Sequence, residues 1–200
     1  MGTLAQAKTL GGVGSILILL SIVPSAGVVL GVVGFILVLI AVKYVSESLG
    51  DKSIFNNMLI AVILAIVGVV VGAVVVFASI FKFIGLSNLS GQFMGSEFFP
   101  STIPSGDIIG FIASVVVGLV VIWICYLISA VFLRKSYNSI AAKLNIGIFK
   151  TTALLYLIGA ALSIVVVGFI IIFIAEILQI VAFFSIPEKQ TQPQQQNQPT

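Results

Sequence analysis

The 200-residue sequence contains no histidine, a single cysteine and a single tryptophan, and only six acidic residues against nine basic ones. Each scarcity removes a class of chemistry. Without histidine there is no imidazole-ligated haem or copper, no zincin motif, no Ser-His or Cys-His nucleophile pair and no imidazole proton relay. Cys125 on its own cannot close an intramolecular disulfide, and its place inside an apolar run marks a buried, inert thiol. Charged residues make up 8% of the chain, where a soluble domain carries about a quarter. The net charge of +3 therefore reflects a shortage of acids, and the bases stand at the ends of apolar runs rather than in a cluster. Nucleic acid is not an expected partner. No cofactor signature is found: "GGVGS", Gly11 to Ser15, follows no strand and has the wrong spacing for a nucleotide fingerprint.

What remains is apolar: 60% of the residues are hydrophobic and the mean hydropathy is +1.30. In lipid a chain must satisfy its backbone internally, so the expected fold class is all-α, a polytopic transmembrane bundle. The block Leu10 to Val45 would run about 54 Å as one helix, against a hydrocarbon core of about 30 Å. It should fold back at "PSAG", Pro24 to Gly27, giving helices over 8–23 and 28–46. A long helix follows over 55–82, then a polar outer loop over 87–107 and a fourth helix over 108–133. The last block, Ile148 to Ile186, is about 58 Å if helical and is split near Val165 to Gly168 into 149–166 and 169–186. One long helix with an interfacial end is the other reading of that block, so five or four spans stand as alternatives to six. Residues 188–200, rich in glutamine and proline, form a disordered tail.

Charge supplies the orientation. In the six-span arrangement Lys8, Lys43, Lys52, Arg134, Lys135, Lys143, Lys150 and Lys189 fall on one side and Lys82 near the other, which puts both termini in the cytoplasm of a cell-membrane protein. The segment "RKSYNSIAAK" is expected to lie along the inner membrane surface. The outer loop holds the chain's N-x-[ST] sequon at Asn88, a glycosylation acceptor if the loop faces outward.

Two further patterns concern packing. Gly68 with Gly72, Gly27 with Gly31, and Gly110 with Ser114 and Gly118 put small residues at four-residue spacing, favouring contacts within the bundle over homodimerisation. "KTLGGVGSILILLSIVPSAG" and "KTTALLYLIGAALSIVVVG" share a Lys-Thr start, an LSIV and a closing glycine, and in the helices that follow Ile36, Leu37 and Ala41 align with Ile177, Leu178 and Ala182. Duplication and chance identity in an apolar alphabet both remain open here.

One acid, Glu176, sits near the middle of a span. A carboxylate in hydrocarbon costs about 2.5 kcal/mol or more, so Glu176 should face protein and be neutral. A turn at Val167 would set it level with Gly159 and Ala160, and would bring Gln179, one helical turn on, level with Tyr156. Glu176, Gln179 and Tyr156 are thus the candidate intramembrane polar cluster. A clamp between helices or subunits is weighed ahead of a proton or cation site, because a transporter lines a path with several such groups. Catalytic, cofactor and metal residues are not expected, nor an enzyme.

The stretches "AKTLGGVGSILILLSIVPSAG", "LIAVKYVSESLGDKSIFNNMLIAVIL", "FKTTALLYLIGAAL" and "VAFFSIP" resemble an uncharacterised, domain-of-unknown-function family of archaeal polytopic membrane proteins from thermoacidophiles. The resemblance spans about residues 5 to 187 and implies a membrane location and an archaeal source. It implies no activity and no functional residue. The expected function is an integral membrane protein of unknown activity, a structural or assembly subunit whose partners are the lipid bilayer and other membrane-protein subunits. The alternative is a small transporter or channel working through the polar site around Glu176.

Overall fold

The structure, a computed structural model, describes residues 3–83, 105–165 and 167–188. These form six helices: α1 (Leu4–Leu20), α2 (Gly27–Ser48), α3 (Lys52–Phe83), α4 (Ser105–Leu144), α5 (Gly147–Leu162) and α6 (Val167–Phe184). Asn88, most of the expected outer loop, and the tail from residue 189 lie outside the described residues. Four helices, α2, α3, α4 and α6, are long and apolar enough to cross a membrane, and α1 and α5 are shorter apolar helices. The chain is an integral membrane protein. α3 and α4 would run about 48 and 60 Å, well past a bilayer's apolar thickness.

Local chemistry explains the boundaries. α1 begins earlier than expected because Thr3 and Gln6 form a reciprocal cap, each side chain bonded to the other's backbone N–H. It ends at Leu20, with Ser21 as its C-cap, ahead of the turn at Pro24. Between α2 and α3, Gly50 takes φ +64° and the Asp51 carboxylate accepts from the Ser53 N–H at 3.0 Å, capping α3. α4 does not stop at residue 133. "RKSYNSIAAK" continues it to Leu144 instead of forming a separate segment along the membrane, because Ser136, Tyr137, Ile140 and Ala141 make one buried face at helical spacing. Asn145, at φ +55°, then turns the chain into α5. The last block does fold back, at residues 163–165. Gly168 makes this turn feasible, since a Cβ there would collide with the backbone at Leu162 and Ser163.

The described chain divides into two compact units. The first comprises residues 1–61 and 130–200: α1, α2, α5, α6, the start of α3 and the end of α4. Within it α1 packs on α2, α5 on α6, and α1 on α6. Its core includes Val45, Ile54, Ile140 and Ile186 around three edge-on rings, Tyr137, Phe149 and Phe183, with centroids 5.3–6.3 Å apart. Ser136 Oγ donates to the Ile54 carbonyl at 2.8 Å, and Lys8 pairs with Glu188 at 3.4 Å, so the start of α1 meets the end of α6. Gly14 and Gly34 bring the α1 and α2 backbones together, each lying where a Cβ on the other would strike its carbonyl.

The second unit, residues 62–129, pairs the rest of α3 with the first part of α4. Gly68 faces Cys125, and Gly72 faces Ile122 and Gly118. These small residues serve contacts inside the chain, as expected, whereas Gly110 meets nothing within 4 Å. Large apolar side chains such as Ile66, Val69, Val74, Phe77 and Ile109 point outward, the arrangement of a helix pair solvated by lipid.

Burial follows the alignment of the two hairpins. Gly27, Gly34, Val38, Ala41, Val42 and Val45 are buried, and so, 141 positions later, are Gly168, Ala175, Gln179, Ala182, Phe183 and Ile186. The preceding helices both end on a serine C-cap, Ser21 and Ser163.

The link after α2 carries a pH prediction. Its Asp51 carboxyl is held below the ordinary value of 3.8 by hydrogen bonds from Ser53 and then by Lys143, 3.1 Å away. A depressed value means stabilisation that is present above 3.8 and lost as pH falls through the lowered one. Asp51→Asn should therefore lower the melting temperature slightly at pH 7, and melting curves of the two proteins in detergent should converge in strong acid.

Candidate functional site

Ser15, Tyr137 and Tyr156 converge in the first unit on Gln179, which is 3% exposed. Tyr156 on α5 donates its hydroxyl proton to Gln179 Oε1 at 2.9 Å, and Tyr137 on α4 donates to the same oxygen at 2.9 Å. Gln179 Nε2 donates to Ser15 Oγ on α1 at 2.9 Å, and Ser15 Oγ in turn donates to the Gly11 carbonyl at 2.7 Å. One amide thereby joins four helices.

The hub is reachable only because neighbouring side chains are small. α1 presents Gly11, Gly12 and Ser15 toward α6, so that α6 can lie close against it. Ala175 and Ala182, fully buried on either side of Gln179 along α6, leave room for the amide to extend toward the tyrosines.

Glu176 sits one turn away, half-buried. Tyr156 is its side-chain neighbour, and its Oε2 is buried without a hydrogen-bond partner among the described residues. Two other buried oxygens share that condition, Thr152 Oγ1 on α5 and Asn138 Oδ1 on α4. No group of three or more metal-binding side chains occurs among the described residues.

The expected trio is thus brought together, with a change of emphasis: Gln179 rather than Glu176 is the centre. Gly159 does not face Glu176. It opposes Gly168 and Ile172, because the turn falls at residues 163–165 and the facing positions slide along the pair. Ser15 and Tyr137 escaped the sequence reading. The available signal was Tyr137 within a basic segment that also carries Ile140 and Ala141 on the same helical face.

A family model described as a protein of unknown function (DUF996) matches residues 30–177. The chain belongs to this family. A relative within reach of the DUF996 chain is an uncharacterized protein of the archaeon Methanocaldococcus jannaschii, 34% identical over 185 residues, which cover 92% of this chain and 94% of the relative. Kinship with an uncharacterised archaeal family, expected from the sequence, is borne out. No solved structure matches the DUF996 chain.

Proposed function

We propose that this DUF996 protein is a structural or assembly subunit of a larger membrane complex, crossing the cell membrane six times with both termini cytoplasmic. The observation that carries this reading is the hub itself. The Gln179 side chain accepts from Tyr137 on α4 and Tyr156 on α5 and donates to Ser15 on α1, which suits a part that holds helices in place. The apolar outer faces of the α3 and α4 pair are suited to lipid and to neighbouring membrane proteins. The cytoplasmic assignment is supported by the Lys8–Glu188 pair and by Lys143 beside Asp51, which gather bases at one end of the first unit. A catalytic role forms no part of the proposal, for want of histidine and of a paired intramembrane acid.

Glu176 favours a second reading, a small transporter or channel, since a buried carboxyl oxygen without a partner is the kind of group that binds a proton or cation.

Extraction from native membranes in mild detergent, followed by native mass measurement, separates the two. The subunit reading expects a particle containing other chains in fixed ratio. A lone monomer or homo-oligomer would overturn it and call for flux assays on vesicles.

A further inference from the structure

We propose that Lys52, Lys135 and Lys150 form a binding surface for anionic phospholipid, each ammonium taking a headgroup phosphate while apolar side chains of its own helix hold the acyl chains. The inference holds for a subunit and a transporter alike, because it rests on which bases the first unit leaves uncommitted.

The three lysines share one end of the first unit. The Lys143–Asp51 pair, at 3.1 Å, ties the end of α4 to the link that starts α3, and α5 begins at Gly147, directly after α4 stops at Leu144. Of the bases at this end, Lys8, Lys43 and Lys143 each face an acid: Glu188, Glu47 and Asp51. Lys52, Lys135 and Lys150 are exposed and pair with no acid among the described residues.

Their spacing along the helices points to the partner. Residues four or seven apart lie on one face of a helix. Lys150 shares its face with Leu154 and Ile158, Lys135 with Val131, and Lys52 with Leu59, all of them exposed apolar side chains. Each exposed apolar stripe therefore ends in a base, and the Lys135 ammonium also lies 4.9 Å from the centre of the Phe132 ring. An ammonium has three hydrogens to donate and a flexible stem, so it can follow a phosphate at the edge of the bilayer. A molecule with a negative head and an apolar body meets both parts of such a stripe, whereas a nucleic acid meets only the base. Anionic phospholipid is that molecule.

Native mass spectrometry of the full-length protein in mixed micelles, with phosphatidylglycerol and phosphatidylcholine supplied at equal concentration, tests this. The expected result is preferential retention of phosphatidylglycerol. A lysine beside an anionic headgroup is worth about fivefold in affinity, so Lys150→Gln should bind this lipid about fivefold more weakly and the triple variant Lys52→Gln, Lys135→Gln, Lys150→Gln about a hundredfold. Arginine at the same three positions should keep the preference. Lys8→Gln removes a charge already engaged by Glu188 and should leave binding within about twofold. Equal retention of the two lipids would overturn the proposal, as would a triple glutamine variant that keeps the preference. A loss in Lys8→Gln as large as in Lys150→Gln would overturn it too, since binding would then follow net charge rather than the stripes. So would displacement of the lipid by an equal concentration of glycerol phosphate, which carries the head without the chains.

Discussion

Phe183→Ala is expected to lower the unfolding free energy by about 3–5 kcal/mol, the cost of deleting a fully buried ring that its surroundings cannot replace. Phe183 meets Phe149 and Tyr137 edge-on and lies over Gly11, so a helix from each of three other parts of the first unit loses contacts at once. Lipid offers no easy refilling of a closed interior, which is why the penalty should resemble that of a soluble core. The measurement is reversible unfolding in mixed micelles. A companion change sharpens it: Gly11→Ala places a methyl where the Phe183 ring sits and should destabilise on its own. Combined with Phe183→Leu, which shortens the obstructing side chain, its cost should fall below the sum of the two single effects. Strict additivity would mean that the ring and the glycine do not share the space described.

Gln179→Leu carries the next largest effect, about 2–4 kcal/mol for three hydrogen bonds inside the bundle. The apolar replacement is one atom shorter but branched and no smaller, so little of the loss is volume. It strands two tyrosine hydroxyls and the Ser15 oxygen, and the stranding is the larger part of the cost. The triple variant Gln179→Leu, Tyr137→Phe, Tyr156→Phe removes both sides of two bonds and should recover more than half of the loss. Unfolding of the three proteins side by side decides it; a triple variant less stable than Gln179→Leu would show that the tyrosines act elsewhere.

Helix number and the pairing of Tyr156 with Gln179 were legible in the sequence because both depend on short-range geometry. Pro24 and the glycine at 168 end runs too long to cross a bilayer once, and a hairpin then sets facing residues by simple counting from its turn. The count was off by about a turn at Gly159, since the bend of an apolar hairpin without proline is placed by backbone contacts that only the fold reveals. Ser15 and Tyr137 are distant in sequence from Gln179, by 164 and 42 residues, and no local pattern encodes such a meeting. The basic segment after residue 133 misled for another reason. Its charges suggested a headgroup layer, while Tyr137 and Ile140 between them form the buried face of a continuing helix.

The first and last hairpins have a bearing on how the first unit assembles. Two helix pairs with matching buried positions would bury similar surfaces if they exchanged places. Gln179 stands where the first hairpin has Val38, so the exchanged arrangement would set the Tyr137 hydroxyl against an aliphatic side chain. A polar residue in one hairpin alone makes the two assemblies unequal in energy, much as a lone asparagine dictates alignment in a coiled coil. Gln179 is in this sense a label by which the folding chain tells its second hairpin from its first.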